Sequence, residues 1–251
     1  MINGKSVLSI ITARAGSKGI VGKNFKKING LPLVCWSMLS SMKSKYVDAT
    51  VVSSNCTHVK KAYDSITEKL RNGKLDQLVY NSSIYFLQRP DEFATDTCKN
   101  EEALIHACDY WKKVYEFDAD IIVNLQPTSP IRSDGLIDLC LSKFDLDKAD
   151  SLFTGTRHTP FYFKIVDGKV KAEWDINNRP MRQELKNESA WLWHDDGSVY
   201  IVSTPLLLSS RCRLGGKMSI FELTHSQSLQ IDTQEDFDIV EFVMKQIGYN
   251  E

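Results

Sequence analysis

Three glycines and three cations near the N-terminus could bind an anion. Gly16, Gly19 and Gly22 alternate with Arg14, Lys18 and Lys23 in the run Ala-Arg-Ala-Gly-Ser-Lys-Gly-Ile-Val-Gly-Lys-Asn. Glycines let backbone N–H groups approach a phosphate closely, and the cations neutralise it. No Gly-Lys-Ser/Thr closes the run, and it is not Gly-x-Gly-x-x-Gly, so neither common phosphate fingerprint applies. A basic surface loop is the plain alternative. The phosphate reading is favoured because residues 8–13 are an apolar run that reads as a buried strand, and α/β folds hold ligands at strand ends. As exposed loop charges, Lys18 and Lys23 are expected to add little to stability.

Two further stretches bear on chemistry. Gln126-Pro127-Thr128-Ser129-Pro130-Ile131-Arg132 follows the clearest strand, residues 119–125. Its prolines forbid continued helix or strand, which makes a rigid loop at a strand's carboxyl end and positions Gln126 there. Asp232 precedes the final helix, residues 234–247, for which Thr233 is the cap and Asp236 its capping-box-like partner. Asp232 suits a hard divalent cation, or it is a helix N-terminal charge worth about 0.3–1 kcal/mol. His58, His106, His158, His194 and His225 have no triad or metal spacing, and His194 beside Asp195 and Asp196 reads as structural.

The elements that must position these groups alternate. Strands are expected at residues 8–13, 49–53, 84–87, 119–125 and 151–156, and helices at 32–42, 57–70, 100–113 and 134–144. This order indicates an α/β fold with a doubly wound, mostly parallel sheet. Residues 89–96 read as a loop. Residues 161–166 and 170–174 flank Asp167-Gly168 as a hairpin. Residues 197–201, 217–223 and 229–231 read as late strands. Residues 161–193 hold Phe161, Tyr162, Phe163, Trp174, Trp191 and Trp193. That apolar area is expected to be covered by a second copy, since exposure costs about 25 cal/mol per Å². The expectation is one domain over 1–251, with 157–196 a β-rich dimerisation and acceptor-site extension.

Composition narrows the classes. The 251 residues are 42% hydrophobic and 25% charged with a net charge of −1, so nothing points to nucleic acid or an anionic membrane surface. No apolar run approaches a membrane span, and no signal peptide is read, so a cytoplasmic setting is expected. Six scattered cysteines without Cys-x-x-Cys fit reduced thiols.

The opening loop resembles that of the acylneuraminate cytidylyltransferases, which make CMP-activated nonulosonic acids, at Arg14, Ser17, Lys18, Gly19, Lys23 and Asn24. The family's Leu-Gln-Pro-Thr-Ser-Pro-Leu-Arg is matched at residues 125–132, and its Asn-Gly-Ala-Ile-Tyr-Ile at 196–201 with Asp196 for Asn. Its Asp-x-Asp-Thr is matched at 230–233 with Gln230 for the first Asp. The resemblance implies a Rossmann-like nucleotidyltransferase that joins CMP from CTP to a sialic, legionaminic or pseudaminic-type sugar acid. It implies Arg14, Lys18 and Lys23 as catalytic cations, and Ser17, Gly19, Asn24 and Arg89 on the nucleotide. Arg182 is expected to clamp the acid's carboxylate, Gln126 and Gln183 to bond the sugar, and Asp232 with Gln230 to hold magnesium or manganese. A homodimer is implied as well. Cys98-Lys99-Asn100 stand where the family has small or hydroxyl residues near the cytidine. Two alternatives stay open: a cytidylyltransferase for another acceptor, such as a phosphonate or a different sugar, and a non-catalytic nucleotide-sugar binding protein.

Overall fold

The computed structural model describes residues 1–16, 19–74 and 82–249. The chain opens with β1 (Val7–Thr12), whose apolar run is buried on both faces as a central parallel strand requires. A two-residue hairpin, β2 (Lys27–Ile28) with β3 (Leu31–Pro32), leads into α1 (Leu33–Met42). Then follow β4 (Ala49–Ser54), α2 (Thr57–Arg71), β5 (Ser83–Gln88), α3 (Asn100–Tyr115), β6 (Ile121–Leu125) and α4 (Leu136–Leu146). The second half holds β7 (Ser151–His158), the hairpin β8 (Phe163–Val166) and β9 (Lys169–Ala172), β10 (Leu192–Ser203), α5 (Thr204–Ser210), β11 (Met218–Glu222) and α6 (Gln234–Gln246).

Seven strands form one sheet in the order β11-β7-β10-β6-β1-β4-β5. Four of its six pairings are parallel; β10 runs antiparallel to both β6 and β7. Helices cover both faces. Val7 and Ile11 pack with α1, α2, α4 and α6, while Leu8 and Ile10 pack with α3 and α5. This division follows from the period-two alternation of a strand. The mostly parallel, doubly wound fold is therefore observed.

One local reading is corrected, and two local elements are added. Residues 229–231 form no strand: Ile231 donates its N–H to the carbonyl of Thr128 at 2.9 Å, a single tie to the rigid loop rather than a ladder. Helix α5 was not expected, because seven residues opening Thr-Pro carry too little periodicity. The loop after Arg89 contains a 3₁₀ turn, Asp91–Ala94. By contrast, the Asp167-Gly168 hairpin is present with φ of 52° and 74°, as a two-residue primed turn demands. Thr233 and Asp236 form the reciprocal capping box of α6.

Candidate functional site

A cleft of about 540 Å³ is lined by residues at the carboxyl ends of β1, β5 and β6. Thr12, Gln126 and Asp232 line it from three separate stretches of chain, and the glycine loop closes one side. This is the end of an open α/β sheet where ligands bind.

The loop is seated on the segment before α6. Lys23 is 8% exposed. Its Nζ donates to the carbonyl of Ile231 at 2.6 Å and to Asp232 Oδ1 at 3.0 Å. The expectation of an exposed Lys23 that adds little to stability is therefore corrected: the stem is buried and the ammonium is tethered. Asp232 keeps its carboxylate 70% exposed to the cleft. Gly19 lies so close that a Cβ there would stand 2.0 Å from the carbonyl oxygen of Asp232. Glycine at 19 is thus required by the seating of the loop. Ser17 and Lys18 lie outside the described residues.

Arg14 crosses the cleft mouth, donating to the carbonyl of Thr95 at 2.7 Å and pairing with Asp96 at 2.8 Å. Asn24 donates to the carbonyl of Arg14 at 2.9 Å and so shapes the loop from within. Asn55 accepts from the N–H of Ala15 at 2.9 Å and donates to Asp91 at 3.0 Å. Arg89 is buried beneath the cleft, with Nε 3.0 Å from Ser53 Oγ and one terminal nitrogen 2.6 Å from the Ser53 carbonyl. Burial lowers its pKa to about 10, with opposing contributions from Cys98 and Arg14, and it stays charged at neutral pH.

Arg132 holds the proline loop. It is fully buried and, among the described residues, has no carboxylate partner. Its guanidinium instead donates to the carbonyls of Gln126 and Ser198, each at 2.7 Å, and to Ser37 Oγ at 2.9 Å. Burial lowers its pKa to about 10. Carbonyl dipoles fix this charge, which ties the backbone of Gln126 to β10.

The start of β10 and the end of β7 project past the cleft end of β6, because Val199 pairs with Leu125 and Leu192 with His158. Here Asp195 accepts from the Tyr200 hydroxyl at 2.8 Å, and Arg213 stacks on the Tyr200 ring. Asp196 is buried; His194 Nδ1 lies 2.8 Å from its Oδ1, and desolvation raises its pKa. Gln126 and Gln230 converge on Gly197, whose Cβ would lie 2.8 Å from Gln126 Oε1 and 3.2 Å from Gln230 Nε2. Gln230 turns its amide nitrogen toward the Asp195 carbonyl at 3.4 Å and does not line the cleft. Gln183 is exposed on the 3₁₀ turn Arg182–Glu184 and is not among the lining residues. For Arg182 only the backbone is described.

The cleft thus gathers Arg14, Gly19, Lys23, Asn24, Arg89, Gln126 and Asp232, seven of the residues the sequence pointed to. Sequence reasoning missed Asn124, the seating role of Gly19 and the anchoring role of Arg132. Asn124 carried a signal: an amide inside Ile-Ile-Val-Asn-Leu must find partners where it is buried. Among the described residues, no cluster of three or more His, Cys, Asp or Glu side chains is suited to a metal, and no helix is long and apolar enough to cross a membrane.

A family model described as cytidylyltransferase matches residues 8–72. The chain is 27% identical over 248 residues to a post-translational flagellin modification protein B of Campylobacter coli, spanning 96% of this chain and 95% of that one. It is 26% identical to a CMP-N,N'-diacetyllegionaminic acid synthase of Campylobacter jejuni, over 95% of this chain and 94% of that one. It is also 26% identical to an N-acylneuraminate cytidylyltransferase of Oncorhynchus mykiss, over 98% of this chain but 52% of that one. The chain therefore spans about half the length of that vertebrate relative. In fold it is similar to a CMP:2-keto-3-deoxy-manno-octonic acid synthetase solved with CTP, with TM-score 0.63 and 16% identity over 96% of this chain and 99% of that one.

Proposed function

We propose that this chain, similar over nearly its whole length to CMP-sugar-acid synthases and acylneuraminate cytidylyltransferases, transfers CMP from CTP to a nonulosonic sugar acid. The observation that carries this reading is the seating of Lys23 and Gly19 on Asp232. It joins the cationic loop to an exposed carboxylate at the mouth of a nucleotide-sized cleft.

The acceptor hydroxyl oxygen attacks the α-phosphorus of CTP. A new P–O bond forms, the bond to the bridging oxygen of the β-phosphate breaks, and pyrophosphate leaves with that electron pair. The hydroxyl proton passes to solvent. Lys23, with Arg14, faces the growing charge on the leaving group. Arg132 keeps the Gln126 backbone fixed at the strand end, where its side chain can meet a sugar hydroxyl. The rim of β7 and β10 supplies the acceptor side, and Arg182 is assigned to the acid's carboxylate, which a guanidinium fork suits.

Magnesium fits the donor set. Asp232 offers a carboxylate oxygen beyond the one Lys23 engages, and magnesium is commonly held by one or two carboxylates with phosphate oxygens and water. When bound, the ion neutralises the triphosphate. Gln230 supports a positioning role at Gly197 better than a direct ligand role.

The same reading extends to assembly. Hairpin β8–β9 exposes Phe163, Ile165 and Val170, with Ile176 beyond it, an apolar arm suited to a second copy. The test of the function is pyrophosphate release from CTP and magnesium with a panel of sialic, legionaminic and pseudaminic-type acids. Release that requires one of these acids is expected. Release with a phosphonate or neutral sugar alone would point to the other-acceptor alternative.

A further inference from the structure

Asn124 interrupts the apolar run of β6 and is fully buried. Its Nδ2 donates to the carbonyl of Ile10 at 3.1 Å. A carbonyl only accepts, so this bond settles which end of the amide carries nitrogen. Oδ1 of Asn124 then accepts from Nδ2 of Asn100 at 2.9 Å. The orientation is passed on. Asn100, the first residue of α3, turns its nitrogen inward and leaves Oδ1 for the cleft it lines. No donor reaches that oxygen among the described residues. Arg89 shares the cleft wall, and two of its nitrogens are committed to Ser53. Its remaining terminal nitrogen has no acceptor among the described residues.

The cleft thus presents one fixed acceptor and, among its lining residues, a cationic donor. We propose that Asn100, oriented by Asn124, reads the 4-amino group of a pyrimidine and selects cytosine over uracil. The 4-amino group donates to Asn100 Oδ1. A 4-oxo group would set two lone pairs against each other and leave both oxygens unpaired, which a dry site penalises. Asn100 cannot turn its amide over to suit uracil, because Asn124 would then face it oxygen to oxygen. Asn124 is a positioning residue, acting through Asn100. The inference rests on the cytidylyltransferase reading, but it concerns binding and is measured without an acceptor.

Calorimetric titration of the full chain with CTP and with UTP, each with magnesium, tests it in the wild type, Asn100→Ala and Asn124→Leu. The wild type is expected to prefer CTP, with about 10- to 100-fold of the preference coming from this contact. Asn100→Ala should lose that share, mainly through weaker CTP binding. Asn124→Leu should lose it too while leaving every lining side chain in place. Asn100→Ala changes a partly exposed residue, so its result stands even if Asn124→Leu does not fold. An unchanged CTP-to-UTP ratio in Asn100→Ala overturns the inference, as does a wild type without preference. An Asn100-dependent preference in a protein that never releases pyrophosphate supports the base reading and overturns the proposed activity instead.

Discussion

On the proposed reading, Lys23 joins stability to catalysis in a single side chain. Its ammonium bonds a buried carbonyl and an exposed carboxylate while lining the cleft. Lys23→Ala is therefore expected to lower turnover by two or more orders of magnitude and also to destabilise by about 1–3 kcal/mol, since the Ile231 carbonyl loses its partner. Steady-state rates and urea midpoints check both parts; a variant as stable as wild type would contradict the tether. Asp232→Asn should behave differently. The amide still accepts from Lys23, so the fold should hold within about 0.5 kcal/mol. Activity should nearly vanish, and added magnesium should restore little. A magnesium titration showing an active Asp232→Asn would remove Asp232 from the metal site.

At the scale of elements, the loops rather than the strands carry the precision. Arg132 ties the proline loop to β10 through carbonyls alone, and its removal orphans those of Gln126 and Ser198. Arg132→Met is expected to cost about 3 kcal/mol and to raise the acceptor KM through a loosened Gln126. Denaturation and kinetics together check this. The cap of α6 has a pH signature. Its N–H bonds hold the Asp236 pKa below the ordinary 3.8, so the cap is at full strength above that value and is lost as pH falls through the depressed one. Thr233→Ala should cost about 1 kcal/mol at neutral pH, and the gap to wild type should shrink in acid. Much of this was legible in the sequence. The strands and helices of the first half and the capping box follow from periodicity and local chemistry. The tether of Lys23, the Asn100–Asn124 chain and the bonds of Arg132 to Ser198 were not, because each joins residues far apart in sequence. Residues 229–231 misled because a short apolar run looks the same whether it extends a sheet or packs beside one.

On the scale of the whole molecule, the proposed reading puts the nucleotide in the cleft at the ends of the parallel strands and the acceptor at the rim where β10 runs antiparallel to its neighbours. The hairpin β8–β9 is a separate two-stranded sheet with exposed apolar side chains. Sedimentation at micromolar concentration is expected to show a dimer, and Ile165→Asp with Val170→Asp to shift it to monomer; a monomeric wild type would contradict that assembly. Group transfer itself is tested most directly by following the α-phosphate. The full chain is incubated with magnesium, a nonulosonic acid and CTP labelled at the α-phosphorus, and the products are separated. The label is expected to move into a covalent adduct of CMP with the acid as one pyrophosphate appears per adduct. Label remaining in CTP with every acid tried, or released only as free CMP, would contradict it.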